Sequence, residues 1–172
     1  MAFGNEYSDS YGTCNETYAS LIISRGAVPP HIVTEQLCLQ PTTMRELGRA
    51  GRWRNGEWLG QASELISRFN IWNLETKGIV ESRDSLRHID HLLEILDGKD
   101  DVLASLARDG WIIEICIFWD SKWGHGGPII TPNTMSRLAQ LEIALWYDVY
   151  FSEPNRAPEE AEDHPNWFRI GL

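Results

Sequence analysis

Apolar and polar positions along the chain follow two different periods, and together they predict strands that alternate with helices. Residues 18–24 (YASLIIS) have the apolar content of a strand, and residues 69–75 (FNIWNLE) alternate as a half-buried strand does. Residues 111–119 (WIIEICIFW) are apolar at nearly every position, which is typical of a strand central in its sheet. The aromatic and β-branched side chains of residues 146–151 (WYDVYF) favour a last strand.

A spacing of three to four residues between apolar side chains predicts the helices. The clearest stripe runs through residues 82–97 and stops at Gly98, a residue type that commonly ends helices. Thr131 is a good N-cap, and Pro132 then occupies the first helical position. The predicted helices lie in residues 34–39, in residues 82–97, between Asp100 and Gly110, and after Thr131.

The order of these elements predicts the fold class α+β, with a mixed sheet and helices packed on one face. We expect a single domain over residues 1–151, in which residues 1–16 form a loose arm. Asn55-Gly56 predicts the tight turn of a hairpin. Residues 152–172 contain three prolines and five acidic residues, which indicates an extended acidic tail.

Composition and charge argue against several classes of function. The chain of 172 residues carries eight tryptophans and a net charge of −10, which argues against non-specific nucleic-acid binding because that depends on Lys and Arg. Three cysteines without CxxC spacing predict neither a disulfide framework nor a zinc site, and no motif indicates a catalytic site or a cofactor. With no signal peptide and no apolar stretch long enough to span a bilayer, we expect a cytoplasmic protein without a membrane partner.

A set of short motifs follows a fixed order between residues 18 and 151. The motifs are Ala19-Ser20-Leu21-Ile22-Ile23, Pro30 before Ile32-Val33-Thr34, Pro41-Thr42, Trp72, the stripe of Leu86, Ile89, Leu92, Leu93 and Leu96, Gly126-Gly127 before Ile130 and Pro132, Leu138-Ala139 with Leu141, and Asp148-Val149-Tyr150. In this order they resemble a bacterial family known as domain of unknown function 4279. Residues 42–60 depart from the family pattern, since arginines stand where the family shows a Lys-Gly pair.

The resemblance implies a small cytoplasmic α+β protein without an established catalytic site. Some relatives look like immunity proteins, because they are neighbours of secreted antibacterial toxins. This association transfers no catalytic residue to the chain.

Two sets of residues are the candidates for binding a partner. The first lies on or beside the glycine-rich loop of residues 121–128, where exposed tryptophans would serve as interface anchors, although a simple chain-reversing turn is the alternative. The second lies in the acidic tail, which either meets a basic partner or is only solvated. The first set comprises Trp119, Asp120, Trp123 and His125. The second set comprises Glu159, Glu160, Glu162 and Asp163.

Two further clusters have an ordinary explanation beside a functional one. His88, His91 and Asp84 have the helical spacing of metal ligands, but His91 and Asp84 fall opposite the leucine stripe and are expected to be solvated. Four arginines surround Trp53, as a phosphate or base site requires, and the alternative is pairing with the protein's own acids. These are Arg45, Arg49, Arg52 and Arg54.

The leading hypothesis is a non-catalytic bacterial immunity protein that docks on a basic cognate toxin and occludes its active site. The first alternative is a small-ligand protein or enzyme with a pocket near the loop from Trp119 to Pro128. The second alternative is a homodimeric structural module.

Overall fold

The computed structural model describes residues 6–49, 52–54, 57–59 and 66–151, and for residues 52–54, 58 and 59 it describes the backbone alone. Seven strands and four helices occur within these ranges. In chain order they are β1 (Cys14–Arg25), α1 (His31–Leu37), β2 (Thr43–Arg45), β3 (Arg52–Arg54), β4 (Glu57–Leu59), β5 (Asn70–Glu75), α2 (Ser85–Ile95), α3 (Asp100–Arg108), β6 (Ile112–Ser121), α4 (Pro132–Gln140) and β7 (Ala144–Phe151).

The strands form one mixed sheet in the order β4-β3-β2-β5-β1-β6-β7. β1 lies near the middle and pairs antiparallel with both β5 and β6. β7 pairs parallel with β6, and α4 makes the crossover that a parallel pair requires. The apolar strand β6, predicted to be central, thus has a strand on each side but lies next to the edge strand β7.

All four helices pack on one face of this sheet, which confirms the predicted α+β class. Alternate residues of β1 and β6 point toward the helices, because successive strand side chains point to opposite faces. The core joins these residues to the apolar stripes of the helices. From the two strands it takes Ala19, Leu21, Ile23, Ile113, Ile115 and Ile117.

The long helix α2 has the apolar stripe that its sequence predicts, within narrower bounds. Asp84 caps it by accepting a hydrogen bond from the Leu86 N–H at 3.0 Å. One prediction for this helix is wrong, since Asp84 is buried rather than solvated, because it serves as the cap. His91, which the sequence also predicts to be solvated, is half-buried, and His88 is 1% exposed.

Residues 7–16 are not the loose arm that their polarity predicts. Cys14 to Glu16 already belong to β1, and the preceding residues lie along α2. The Ser8 N–H donates to the Asp84 carboxylate at 2.8 Å, and the Tyr7 hydroxyl donates to Asp90 at 3.0 Å. Side-chain partners on α2 thus hold a segment that lacks an apolar pattern of its own.

Three local predictions differ in outcome. The hairpin is supported by the antiparallel pair Arg54↔Glu57, although residues 55 and 56 lie outside the described residues. The helix predicted in residues 34–39 begins three residues earlier, at His31, and the Thr34 hydroxyl accepts from the Trp72 indole N–H at 2.9 Å. Thr131 does cap α4, accepting from the Thr134 N–H at 3.3 Å.

Candidate functional site

The sheet has a second face on which no described helix packs, and we call it the open face. Strand alternation places on it the residues that lie between the core positions of β1, β5, β6 and β7. None of these side chains belongs to the hydrophobic core on the helix side. Its central residues are Tyr18, Ser20, Ile22, Asn73, Glu75, Glu114, Cys116, Phe118, Asp120, Trp146, Asp148 and Tyr150.

An aromatic row crosses three strands of the open face. The rings of Tyr18 and Phe118 are stacked, with centroids 4.7 Å apart and planes 11° apart. The Phe118 ring in turn meets Tyr150 of β7 at 5.1 Å. Such contacts between neighbouring strands stabilise a sheet and leave a broad, rigid apolar surface.

Two carboxylates lie within this apolar surface. Burial raises the pKa of the Glu114 carboxyl above its usual range. Burial also raises the pKa of Asp148, although the hydrogen bond that the Tyr150 hydroxyl donates to it at 3.0 Å opposes that shift. Among the described residues, no Lys, Arg or His lies within ion-pair distance of either carboxylate. Each carboxylate is thus partly desolvated, with no described cation to compensate it.

Cys116 lies between these two carboxylates on β6 and is 3% exposed. Burial, together with the charges of Asp148 and Glu114, raises the pKa of its thiol to about 12. Since the thiolate is the nucleophilic form, this cysteine is protonated at neutral pH and behaves as a small core residue. The chemistry that this face offers is the binding of cationic and apolar groups.

Beside the row, a lysine already shows how a cation binds here. The Lys77 ammonium lies 4.8 Å from the centre of the Tyr18 ring and 2.8 Å from the Glu16 carboxylate. Both contacts are exposed to solvent, so each contributes little to stability. They nevertheless show a carboxylate and an aromatic ring of this face sharing one ammonium group.

The structure separates the residues that the sequence groups around the glycine-rich loop. Trp123 is 54% exposed and His125 is exposed, as an interface anchor requires. Trp119 is 1% exposed, so the prediction that it offers an exposed surface is wrong. It is on the helix side of β6, where its ring meets Tyr11 edge-on at 5.4 Å. Asp120 is on the open face and accepts from Asn15 at 3.2 Å.

Hydrogen bonds tie the loop to residues 11–13. The Lys122 N–H donates to the Thr13 carbonyl at 2.9 Å, and the Tyr11 hydroxyl donates to the Gly127 carbonyl at 3.0 Å. Within the loop, Ser121 donates to the His125 carbonyl at 3.1 Å. Trp123 is therefore presented to solvent on a loop whose two ends are fixed.

The other predicted candidates contribute less. Glu159, Glu160, Glu162 and Asp163 lie outside the described residues. In the arginine cluster, Arg49 pairs with Glu46 at 2.6 Å, which is the ordinary explanation for that residue. His88 donates from Nε2 to the Ser82 carbonyl at 3.0 Å, and its Nδ1 lies 2.7 Å from the Thr76 hydroxyl. Among the described residues, no group of three His, Cys, Asp or Glu side chains could hold a metal ion.

A pocket of about 540 Å³ lies on the other side of the molecule. Tyr7, Val80, Arg87 and His91 are among the residues that line it, so it is formed by the N-terminal segment, the chain before α2, and α2 itself. This pocket is distinct from the loop at which the sequence suggests a ligand site. The Arg87 side chain there is engaged by Asp9 at 2.6 Å.

The open face itself is missed by reasoning from the sequence. The apolar residues of β1 and β6 occupy both strand faces, so alternation alone does not tell which face the helices cover. The one available signal is Glu114, the only charged residue in the apolar run of residues 111–119. Its position indicates that one side of this strand is less buried than the other.

In the described residues, no helix is long and apolar enough to cross a membrane. Comparison with curated proteins and with solved structures gives no match. The model of one protein family, described as a domain of unknown function (DUF4279), matches residues 15–152, which include all the described strands and helices except the first residue of β1. Because the match extends over most of the chain, the protein belongs to the DUF4279 family.

Proposed function

We propose that this protein is a non-catalytic binding protein whose open face docks on a basic protein. In its most concrete form it is a cytoplasmic bacterial immunity protein that covers the active site of a cognate toxin. The observation that carries the proposal is the pair of half-buried carboxylates, Glu114 and Asp148, which share the open face with the aromatic row and have no described cation within ion-pair distance.

A basic partner supplies what these carboxylates lack in the free protein. A Lys or Arg side chain placed beside Asp148 would pair with a carboxylate that burial has already partly desolvated. The neighbouring rings of Phe118 and Tyr150 offer the apolar and cation–π contacts that such side chains make. The energetic centre of the interface is thus expected on β6 and β7.

The acidity of the whole chain supports the same partner. With a net charge of −10, the protein attracts a basic toxin over a distance of about one Debye length, roughly 8 Å at physiological salt. Exposed Trp123 extends the contact area at the end of β6. Occlusion of a toxin by these groups needs neither turnover nor a cofactor.

The test begins with a partner captured from the native host by the tagged protein and then purified. Binding is compared between the wild type and a double variant, Glu114→Gln with Asp148→Asn. The control is Asp100→Asn with Asp101→Asn, two exposed residues of α3 that change the net charge equally. We expect the open-face variant to weaken binding about tenfold or more and the α3 variant to weaken it less than about threefold.

The immunity function has a separate readout, which is protection of cells that express the partner. The wild type should restore growth and inhibit the purified partner, and the open-face variant should do so less well. Equal binding by the two double variants would contradict docking on the open face. A partner without toxicity, or one not inhibited in the complex, would contradict the immunity function.

A further inference from the structure

The last strand of the sheet is an edge strand whose outer side meets no other described strand. β7 ends the strand order and pairs with β6 alone among the described strands, so one side of its backbone has no sheet partner there. Natural edge strands are commonly protected by proline, lysine or a bulge. The eight residues of β7 (ALWYDVYF) contain no proline and no basic residue.

The second half of β7 is also exposed on both of its faces. Leu145 still packs against the core beneath α4, but the strand continues beyond that helix. On the helix side, Tyr147 is 39% exposed and Phe151 is 67% exposed. On the open face, Asp148 and Tyr150 continue the aromatic and acidic surface.

We propose that β7 accepts an extended segment of the basic partner as an additional strand of the sheet. This inference rests on the proposed function, since it states how the same partner engages the molecule. Backbone hydrogen bonds to the free edge of β7 would provide affinity, and alternate side chains of the added strand would provide specificity. The side chains on the two faces of β7 determine which residue types must alternate along the added strand.

The segment that fits is one in which basic and apolar residues alternate. Side chains on the open-face side lie beside Asp148 and Tyr150, which favours Lys or Arg there. Side chains on the other side lie beside Tyr147 and Val149, which favours apolar residues. A helix would satisfy neither the backbone groups of the edge nor this period of two.

Charge argues against the two occupants that the protein itself could supply. Two copies could pair through antiparallel β7 strands about a two-fold axis. Because Asp148 lies near the middle of β7, the carboxylates of the two copies would then lie close together. Each copy also has a net charge of −10, which adds to the repulsion. The chain after Phe151 is itself acidic, with five acids and two arginines in residues 152–172. A foreign basic segment lacks this repulsion.

A synthetic peptide tests the inference without the partner. The probe is Thr-Lys-Val-Arg-Val-Lys-Thr with blocked ends, added to the full chain while amide hydrogen exchange is followed by NMR. We expect slower exchange at the edge-facing amides of residues 145–151, and no slowing in α3. Two control peptides carry N-methyl groups on alternate backbone amides. In one peptide the methyl groups block one edge of the added strand, and in the other peptide they block the opposite edge. Both peptides keep the charge of the parent peptide.

One N-methylated peptide should bind about tenfold or more weakly than the parent, because it loses the hydrogen bonds to β7. Equal binding of all three peptides, or no slowing of exchange in β7, would overturn strand addition. Strand addition would also be overturned if the peptide released a dimer that is linked through β7. The same holds if the slower exchange appeared only after residues 152–172 were removed. These results leave the Glu114 and Asp148 test of the proposed function untouched, so the two can fail separately.

Discussion

Glu114 of the open face is held where burial favours its protonated form. Because its pKa is raised above the ordinary 4.5, the folded state is destabilised as the pH rises through the folded pKa, and this cost is fully present at neutral pH. The carboxylate thus weakens the free protein in a position that suits a basic partner. Such conflicts between stability and local environment are common at binding sites.

Replacing this carboxylate should stabilise the protein in the absence of partner. We expect Glu114→Gln to raise the free energy of unfolding by about 0.5 kcal/mol at neutral pH, or about 1–2 °C in Tm. The gain should shrink in acid, where the wild-type carboxyl is protonated. Thermal denaturation at the two pH values measures both effects. Glu35→Gln on the exposed side of α1 is the control, and an equal gain there would show that net charge alone is responsible.

His88 gives the fold a dependence on pH because its imidazole is buried. Burial lowers the pKa of His88 below 6.5, and the charges of His91 and Arg87 lower it further, while the Ser82 carbonyl and Asp84 oppose the shift. The unfolded chain therefore takes up a proton on this residue at a higher pH than the folded protein does. Stability is present above pH 6.5 and is lost as the pH falls from there toward the folded pKa.

We expect the free energy of unfolding in urea to fall between about pH 7 and about pH 5.5, by at most about 1.4 kcal/mol per unit for this one proton. His88→Gln should flatten that dependence even if it lowers stability at both pH values. If His88→Gln keeps the wild-type slope, the buried imidazole is not its source.

At the scale of elements, the loop between β6 and α4 depends on one glycine much more than on the next. Gly126 has a φ of +77°, and a Cβ there would overlap the Thr13 side chain. Gly127 has neither a positive φ nor any atom within 4 Å of an added Cβ. The two adjacent residues therefore form a matched pair for a test of loop fixation.

Gly126→Ala should cost about 1–3 kcal/mol, because an L side chain is strained at this φ and Thr13 must move. Gly127→Ala should change the stability by less than about 0.5 kcal/mol. Chemical denaturation gives both values, and fluorescence quenching reports how accessible the loop tryptophan becomes. Equal costs for the two variants would indicate that the loop does not depend on its contact with residues 11–13.

The sequence predicts the helices and strands better than it predicts which of their side chains are buried and which residues they contact. The helix at residues 85–95 and the strand at residues 112–121 are found because their apolar periods are local and long. Burial of Trp119 is missed because it depends on which side of β6 the helices cover, and no local pattern states that. The anchoring of residues 7–9 is missed for a related reason, since their partners are 76 to 83 residues away in the sequence.

At the scale of the whole molecule, the sheet order is the least predictable feature. β5 lies between β1 and β2, although β2, β3 and β4 precede it in the chain. This insertion follows from pairings such as Ser20↔Glu75, which no turn signal specifies. The candidate site is equally hard to predict from the sequence, because Tyr18, Phe118 and Tyr150 become neighbours only through that strand order.

The central position of β1 also constrains how the protein is made. Chains leave the ribosome N-terminus first, so this apolar strand emerges before either of its neighbours. Ser20 cannot pair with Glu75 or Cys116 until they have been synthesised, and they are 55 and 96 residues further along the chain. Until β6 has been synthesised, β1 exposes at least one unpaired edge. The nascent domain therefore exposes an apolar strand edge, of the kind that chaperones bind, until β6 has emerged.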